Sequence, residues 1–203
     1  MAKIARLWAR EILDSRGIPT IETACMLDSG HVAVASVPAG TSTGTHEALE
    51  LRDQDPKRYL GKGVLQAVSN VNSQLGPAIL GMDPTDQEGI DARLIQLDGT
   101  ENKTKFGANS ILSISMAVSK AGALAARQAL YVWVNFLAQK VGLKPPLRMP
   151  TPLFNMINGG LHGAGNLDFQ EFHIIPASSK TFSQSIQAGV EIYLTIGESL
   201  ARR

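Results

Sequence analysis

Cysteine is almost missing from this chain. Cys25 is the single one among 203 residues, which excludes an internal disulfide and a Cys-rich zinc site. It stands in the alternating run Ile21-Glu22-Thr23-Ala24-Cys25-Met26-Leu27, where a buried, inert thiol is the expected state. A basic excess is missing too. The formal net charge is +1, from 19 Lys and Arg against 18 Asp and Glu. Composition therefore gives no support for a nucleic-acid or membrane partner, both of which show as surplus positive charge. The first ten residues hold no continuous apolar stretch and make no signal peptide. Nor is there a long hydrophobic run: the most apolar stretch, 111–130, is interrupted by Ser113, Ser115, Ser119, Lys120 and Arg127. A membrane span of about 20 residues does not carry two full charges among so many small polar neighbours. Repeats and low-complexity tails are lacking, and the cytoplasm is the expected compartment.

What is present is a composition 44% hydrophobic and 18% charged, with enough apolar side chains for a core. The length admits one large domain or two small ones. Three strand-like runs come first, at about 3–12, 19–28 and 31–37. The short turns Asp14-Ser15-Arg16-Gly17 and Asp28-Ser29-Gly30 join them, so the reading is an antiparallel meander. A small-residue loop, 38–45, follows. Val64, Leu65, Val68, Val71, Asn72 and Leu75 then recur at helical spacing. Asp83-Pro84-Thr85-Asp86 reads as the opening of the next helix, with Asp83 as its N-cap and Pro84 at N1. Ile90, Leu94 and Leu97 form that helix's buried face, and Asp98-Gly99 closes it. Residues 109–141 read as a helix pair.

Residues 1–140 are thus expected to form an α+β domain, a three-stranded antiparallel meander plus helices. Pro145-Pro146 and Met149-Pro150-Thr151-Pro152 mark a boundary. Beyond it lie short strands at 153–157 and 171–175, a glycine-rich loop between them, and a helix to Arg203 opened by the capping box Thr181-Phe182-Ser183-Gln184. Two strands are marginal without a larger sheet to join, so the segment 150–203 reads as the unfinished start of a second domain.

The loop 38–45 offers backbone N–H groups and the hydroxyls of Thr41, Ser42, Thr43 and Thr45. Such a loop can wrap an anion or give Mg²⁺ a hard oxygen ligand, although it lacks the ending of a P-loop and equally suits a plain surface loop. His162 sits among glycines, which permit close approach to a ligand. Glu171 opens an apolar strand beside Phe169, Phe172, Ile174 and Ile175, where a carboxylate without a partner is costly to bury and so suggests catalysis or metal binding. A hairpin of the two strands places His162 and Glu171 at one end. His173 shares a strand face with Glu171, and His162, Glu171 and His173 form a rival zinc triad, which no helical HExxH supports.

Longer matches are more specific. The run Ala9-Arg10-Glu11-Ile12-Leu13-Asp14-Ser15-Arg16-Gly17, followed by Pro19-Thr20, resembles the opening signature of enolases. So do Ser42-Thr43-Gly44, the run Glu47 to Asp53, and Arg58-Tyr59-Leu60-Gly61-Lys62-Gly63-Val64. Further on, Asp98 to Lys103, Phe106-Gly107-Ala108-Asn109, Asn155, Ile157-Asn158-Gly159-Gly160, His162 and Gln170-Glu171-Phe172 are similar. The matches are collinear along essentially the whole chain.

The resemblance implies an α+β N-terminal domain followed by the incomplete start (ββα) of an enolase-type α/β barrel, whose second strand runs antiparallel. It implies the reversible dehydration of 2-phosphoglycerate to phosphoenolpyruvate with two Mg²⁺ ions. A Lys or His base with Mg²⁺ stabilising an ene-diolate is general knowledge of that superfamily, carried here by resemblance alone. Ser42 matches the serine of the family's mobile loop that reaches the second Mg²⁺. His162 matches the loop histidine that closes toward substrate, Glu171 a carboxylate at the departing hydroxyl, and Gln170 its substrate-site neighbour. Arg10, Arg16 and Glu22 match positions near the family's dimer interface.

Departures are Ile18 for a turn Asn, Ala39-Gly40-Thr41 for Ser-Gly-Ala, Leu161 for a polar residue and His173 for an apolar one. The family's base lysine, its second acid and three acidic Mg²⁺ ligands match nothing in residues 1–203. A complete barrel takes about 250 residues. The expectation is therefore a chain that does not catalyse by itself and combines with a polypeptide carrying the rest of the barrel. A non-catalytic dimerisation module derived from an enolase is the competing reading.

Overall fold

A computed structural model describes residues 2–40, 44–160, 163, 165, 167–177 and 179–202. The chain divides into two compact units, Met1–Pro145 and Pro146–Arg203.

The first unit opens with strands β1 (Ile4–Leu13), β2 (Pro19–Leu27) and β3 (Val32–Ser36), antiparallel in the order β1-β2-β3. The central strand is the most buried. Ile21, Thr23, Cys25 and Leu27 alternate along it and all lie within the core. Burial pushes the Cys25 thiol up to about 11, so it stays protonated at neutral pH. The turn after β1 is held by Asp14, whose Oδ1 accepts from the Arg16 and Ile18 N–H groups, both at 2.8 Å.

Helices α1 (Leu65–Asn70), α2 (Gln87–Asp98), α3 (Ala108–Ala125) and α4 (Leu130–Lys140) follow. A π-helical turn, Val71–Leu75, extends α1. Val64, Val71 and Leu75 of the expected stripe are fully buried and Val68 packs against them, but Leu65 is 48% exposed. Asn72 spends its side-chain amide on the outer edge of β1, accepting from Ala9 N–H at 2.7 Å and donating to Ala9 O at 3.1 Å. An exposed strand edge is a pairing hazard, and Asn72 blunts it.

The start of α2 differs from expectation. Asp83 accepts from the Thr85 N–H at 2.9 Å and hydroxyl at 2.7 Å, closing a local turn around the buried Pro84. That carboxylate is spent, and the N-cap falls to Asp86, which accepts from Gly89 N–H at 3.1 Å. The helix ends as expected on Gly99, at φ +69°, with its N–H donating to Ile95 O at 2.9 Å.

Helix α3 carries the core. Ile114, Ala117, Val118 and Ala121 are fully buried, and the small residues let the helix lie close on β2 and β3. Its buried hydroxyls are satisfied in a chain: Thr23 Oγ1 donates to Ser113 Oγ at 2.7 Å, Ser113 to Ser110 O at 2.8 Å, and Ser110 to Ala67 O at 3.1 Å.

The second unit has strands β4 (Phe154–Asn158) and β5 (Glu171–Ile174), paired antiparallel, and helix α5 (Phe182–Ala201). Thr181 caps α5 in both directions: its hydroxyl accepts from Gln184 N–H at 3.3 Å, and its own N–H donates to Gln184 Oε1 at 2.9 Å. Apolar side chains stay exposed throughout this unit, among them Phe169 (74%), Ile175 (64%) and Leu194 (59%). Among the described residues no helix is long and apolar enough to cross a membrane.

Candidate functional site

The β4–β5 hairpin sets one cluster of candidates. Asn158 pairs with Glu171 at the open end of the ladder, and Asn155 with His173 further in. The glycine-rich connection is folded back on itself: Gly159 N–H donates to Gln170 O at 2.8 Å and Gly160 N–H to Leu167 O at 2.9 Å. A Cβ on Gly159 would collide with the Phe169 carbonyl and the Leu167 side chain, so the turn requires glycine there. Gln170 and Glu171 are thereby adjacent at the end of the hairpin where that connection leaves. His162 belongs to the same connection but lies outside the described residues, as does Leu161.

Glu171 differs from expectation in its surroundings. Its side chain is 39% exposed and its Oε2 meets His173 Nε2 at 3.0 Å. No desolvation cost marks it out, because it faces water and has a partner on its own strand face. Alternation placed residues 171 and 173 together, and that contact is the one seen. His173 occupies itself with Glu171. Among the described residues no group of three or more His, Cys, Asp or Glu is placed to hold a metal ion, and the third member of the zinc triad, His162, is outside them.

The loop after β3 sets the other candidate. Ser42, with Thr41 and Thr43, lies outside the described residues, but both flanks are described. Arg16 Nη2 donates to Ala39 O at 2.8 Å. Gly44 N–H donates to Glu47 Oε2 at 2.7 Å. Beside this loop is a cleft of about 530 Å³, walled by Ile18, Gly40, Glu47, Glu50, Arg52 and Lys62. Arg52 is held there through both terminal nitrogens: Nη1 donates to Pro19 O at 2.6 Å and Lys62 O at 2.8 Å, and Nη2 to Glu50 Oε1 at 2.6 Å.

The sequence reading missed a second charged group. Arg58 grips Glu11 with both terminal nitrogens, the Nη1–Oε2 bond being 2.9 Å, while Glu11 Oε2 also accepts from Val64 N–H at 2.8 Å. Arg58 holds the Glu11 carboxyl below its usual range, against the opposing effect of burial. Asp53 accepts from the Leu65 and Gln66 N–H groups at 2.9 and 2.8 Å, capping α1 from twelve residues away. Between Asp53 and Gly63 three non-glycine residues, Gln54, Tyr59 and Leu60, have φ of +57°, +48° and +53°, and this network holds them there. The contact between Glu11 and Arg58 spans 47 positions, so no local pattern announces it.

Arg10 and Glu22 pair at 2.7 Å across the outer face of the sheet, where Ser36 Oγ also donates to Glu22 at 2.8 Å. A three-stranded meander backed by helices is followed by a second unit of two antiparallel strands and a helix. Residues 4–134 match the family model for the enolase N-terminal domain, and residues 146–203 match that for the enolase C-terminal TIM barrel domain. The chain belongs to the enolase family.

Proposed function

We propose that this chain is the N-terminal part of an enzyme that reversibly dehydrates 2-phosphoglycerate to phosphoenolpyruvate. In that reaction a proton leaves C2, a hydroxyl leaves C3 as water and the C2–C3 double bond forms. The observation that supports it is the match to both enolase domains in one chain, together with Gln170 and Glu171 side by side at the loop end of the β4–β5 hairpin. In a barrel enzyme that is where catalytic groups collect, on loops held by rigid strands. Residues 1–140 act as the N-terminal domain and 150–203 as the start of the barrel.

The roles follow the resemblance. Glu171 attends the departing hydroxyl, with Gln170 as its substrate-binding neighbour and His162 closing toward substrate from the connection. Ser42 gives Mg²⁺ one neutral oxygen. The ion, when bound, neutralises charge that develops on the substrate. Mg²⁺ prefers a near-octahedral set of oxygens, and the described residues contain no carboxylate cluster that provides it. Of the residues matched by the resemblance, Ser42 is the one assigned to the ion, and it offers a single hydroxyl. The rest of the shell and the base come from the remaining barrel, on the same polypeptide or a second one. A homodimer through the Arg10–Glu22 face and a cytoplasmic location complete the proposal.

The test is an ultraviolet assay for the enol product. A polypeptide of these 203 residues alone is expected to give no turnover above a blank. Combined with a polypeptide that supplies the remaining barrel, it gains activity, and Glu171→Gln then lowers kcat by about 10²-fold or more, the usual worth of an acid–base group. Turnover by the 203 residues alone overturns the division of labour; a completed enzyme indifferent to Glu171→Gln overturns the role of that residue.

A further inference from the structure

Helices α2 and α4 of the first unit leave between them a groove of about 420 Å³ that shares no residue with either candidate cluster. Its apolar part is Ala92, Ile95, Leu137 and Val141, and both Ile95 and Val141 are exposed to water. Its charged part is Asp86, Glu88 and Asp91 against the single Lys140. None of these three carboxylates makes an ion pair with a described residue. Asp86 accepts from Gly89 N–H at 3.1 Å, and Asp91 from the Gln87 amide at 3.0 and 3.1 Å. Those donors are neutral, so the charges stay uncompensated. Lys140 turns its ammonium over the Phe136 ring at 5.1 Å, and Arg93 donates to Gln96 at 3.3 Å. The whole chain carries +1, which makes a three-to-one acidic excess a local feature of this groove.

We infer that this groove docks a basic amphipathic helix of a partner protein, with a Lys or Arg on the acids and an apolar side chain over Ile95 and Leu137. Along α2, Glu88 precedes Ala92 and Asp91 precedes Ile95 by one turn, about 6 Å. A helix that presents a basic and an apolar side chain one turn apart matches that spacing, and a groove walled by two helices receives such a face. Charge decides among occupants. A phosphate-bearing or acidic partner meets uncompensated carboxylates, and a purely apolar one leaves them unmet. Gln87 adds a polar mark. Its amide nitrogen is spent on Asp91 and Ser115, while its Oε1 is buried with no hydrogen-bond partner among the described residues, an acceptor that a donor on the occupant satisfies.

The experiment titrates the ¹⁵N-labelled 203-residue chain with a synthetic Ala-based peptide of about 15 residues, long enough to hold a helix in water. The peptide carries Arg and Leu one turn apart along one face. The amides of Ala92, Ile95, Leu137 and Val141 should shift on titration, and those of Ile21 and Thr23 should not. Glu88→Lys reverses an exposed charge and should raise Kd about tenfold, whereas Lys140→Glu should lower it about threefold. Ile95→Ser should also raise Kd about tenfold. In each variant the unshifted Ile21 and Thr23 amides report an intact fold. The same peptide with Glu in place of Arg should move none of the groove amides. Absence of groove shifts at about 1 mM peptide overturns the inference. So does a Kd that Glu88→Lys leaves within about twofold, because charge then does not select the occupant. Groove shifts that grow with protein concentration in the absence of peptide overturn it as well, since a second copy of this chain then fills the groove.

Discussion

Asp98 closes α2 with a buried carboxylate that accepts from Phe106 N–H at 2.8 Å, Thr100 N–H at 3.1 Å and the Thr100 hydroxyl. Burial works against its charged form, yet these bonds outweigh burial and hold its pKa below the ordinary value. Asp98→Ala strands the buried Phe106 N–H, and urea denaturation should show a loss of about 1–3 kcal/mol. Glu11 and Glu22 are held low as well, chiefly by Arg58 and by Ser36 respectively. A carboxylate with a depressed folded pKa binds protons less readily folded than unfolded. Its stabilisation is therefore complete above the ordinary carboxylate range and is lost as pH falls through the depressed values. The urea midpoint of the first unit should stay level from about pH 7 to 5 and fall below about pH 4, less steeply in Glu11→Gln. A midpoint that rises on acidification contradicts this account of the charged groups.

Among the elements, α3 bears the most weight. Ile114 is fully buried against the sheet, and Ile114→Ala should cost about 2–5 kcal/mol by the same denaturation. Elements whose signals are local were legible in the sequence. The meander followed from alternation and two short turns, the stop of α2 from Gly99, and the start of α5 from Thr181 and Gln184 three residues apart. Asp83 was misread because two aspartates compete for one helix start, and only the Thr85 contacts show which is already spent. Leu65 fits the helical stripe yet is exposed, since the stripe gives spacing and not the width of the face that is covered. At the hairpin, alternation gave the shared face of Glu171 and His173 but not their exposure, which depends on what packs above the strands. The side-chain bonds to Ala39 and Gly44 and the Glu11–Arg58 pair were illegible for a different reason. They join a side chain to a backbone group or partner that only the folded chain brings near.

At the scale of the molecule the two units differ in kind. The first has a continuous core from Ile4 to Ala121, with its hydroxyls satisfied inside it. Fully burying a residue such as Ile21 or Leu94 is worth about 1.5–3 kcal/mol, and many are buried here. The second offers a two-stranded ladder, one capped helix and a run of exposed apolar side chains, Phe169, Phe172 and Ile175 on or beside the hairpin and Val190, Tyr193 and Leu194 on α5. Two strands with such faces are marginal alone and prone to pair with other chains, so more of the barrel is what this unit lacks for stability. Hydrogen exchange across the 203-residue chain tests that contrast directly. The amides of β2 and α3 should be protected to near the global unfolding free energy, whereas those of β4 and β5 should exchange within about tenfold of an unfolded peptide until the remaining barrel is supplied, and then slow markedly. Strong protection of residues 154–158 and 171–174 in the isolated monomer would contradict the account, because the hairpin would then need no completion.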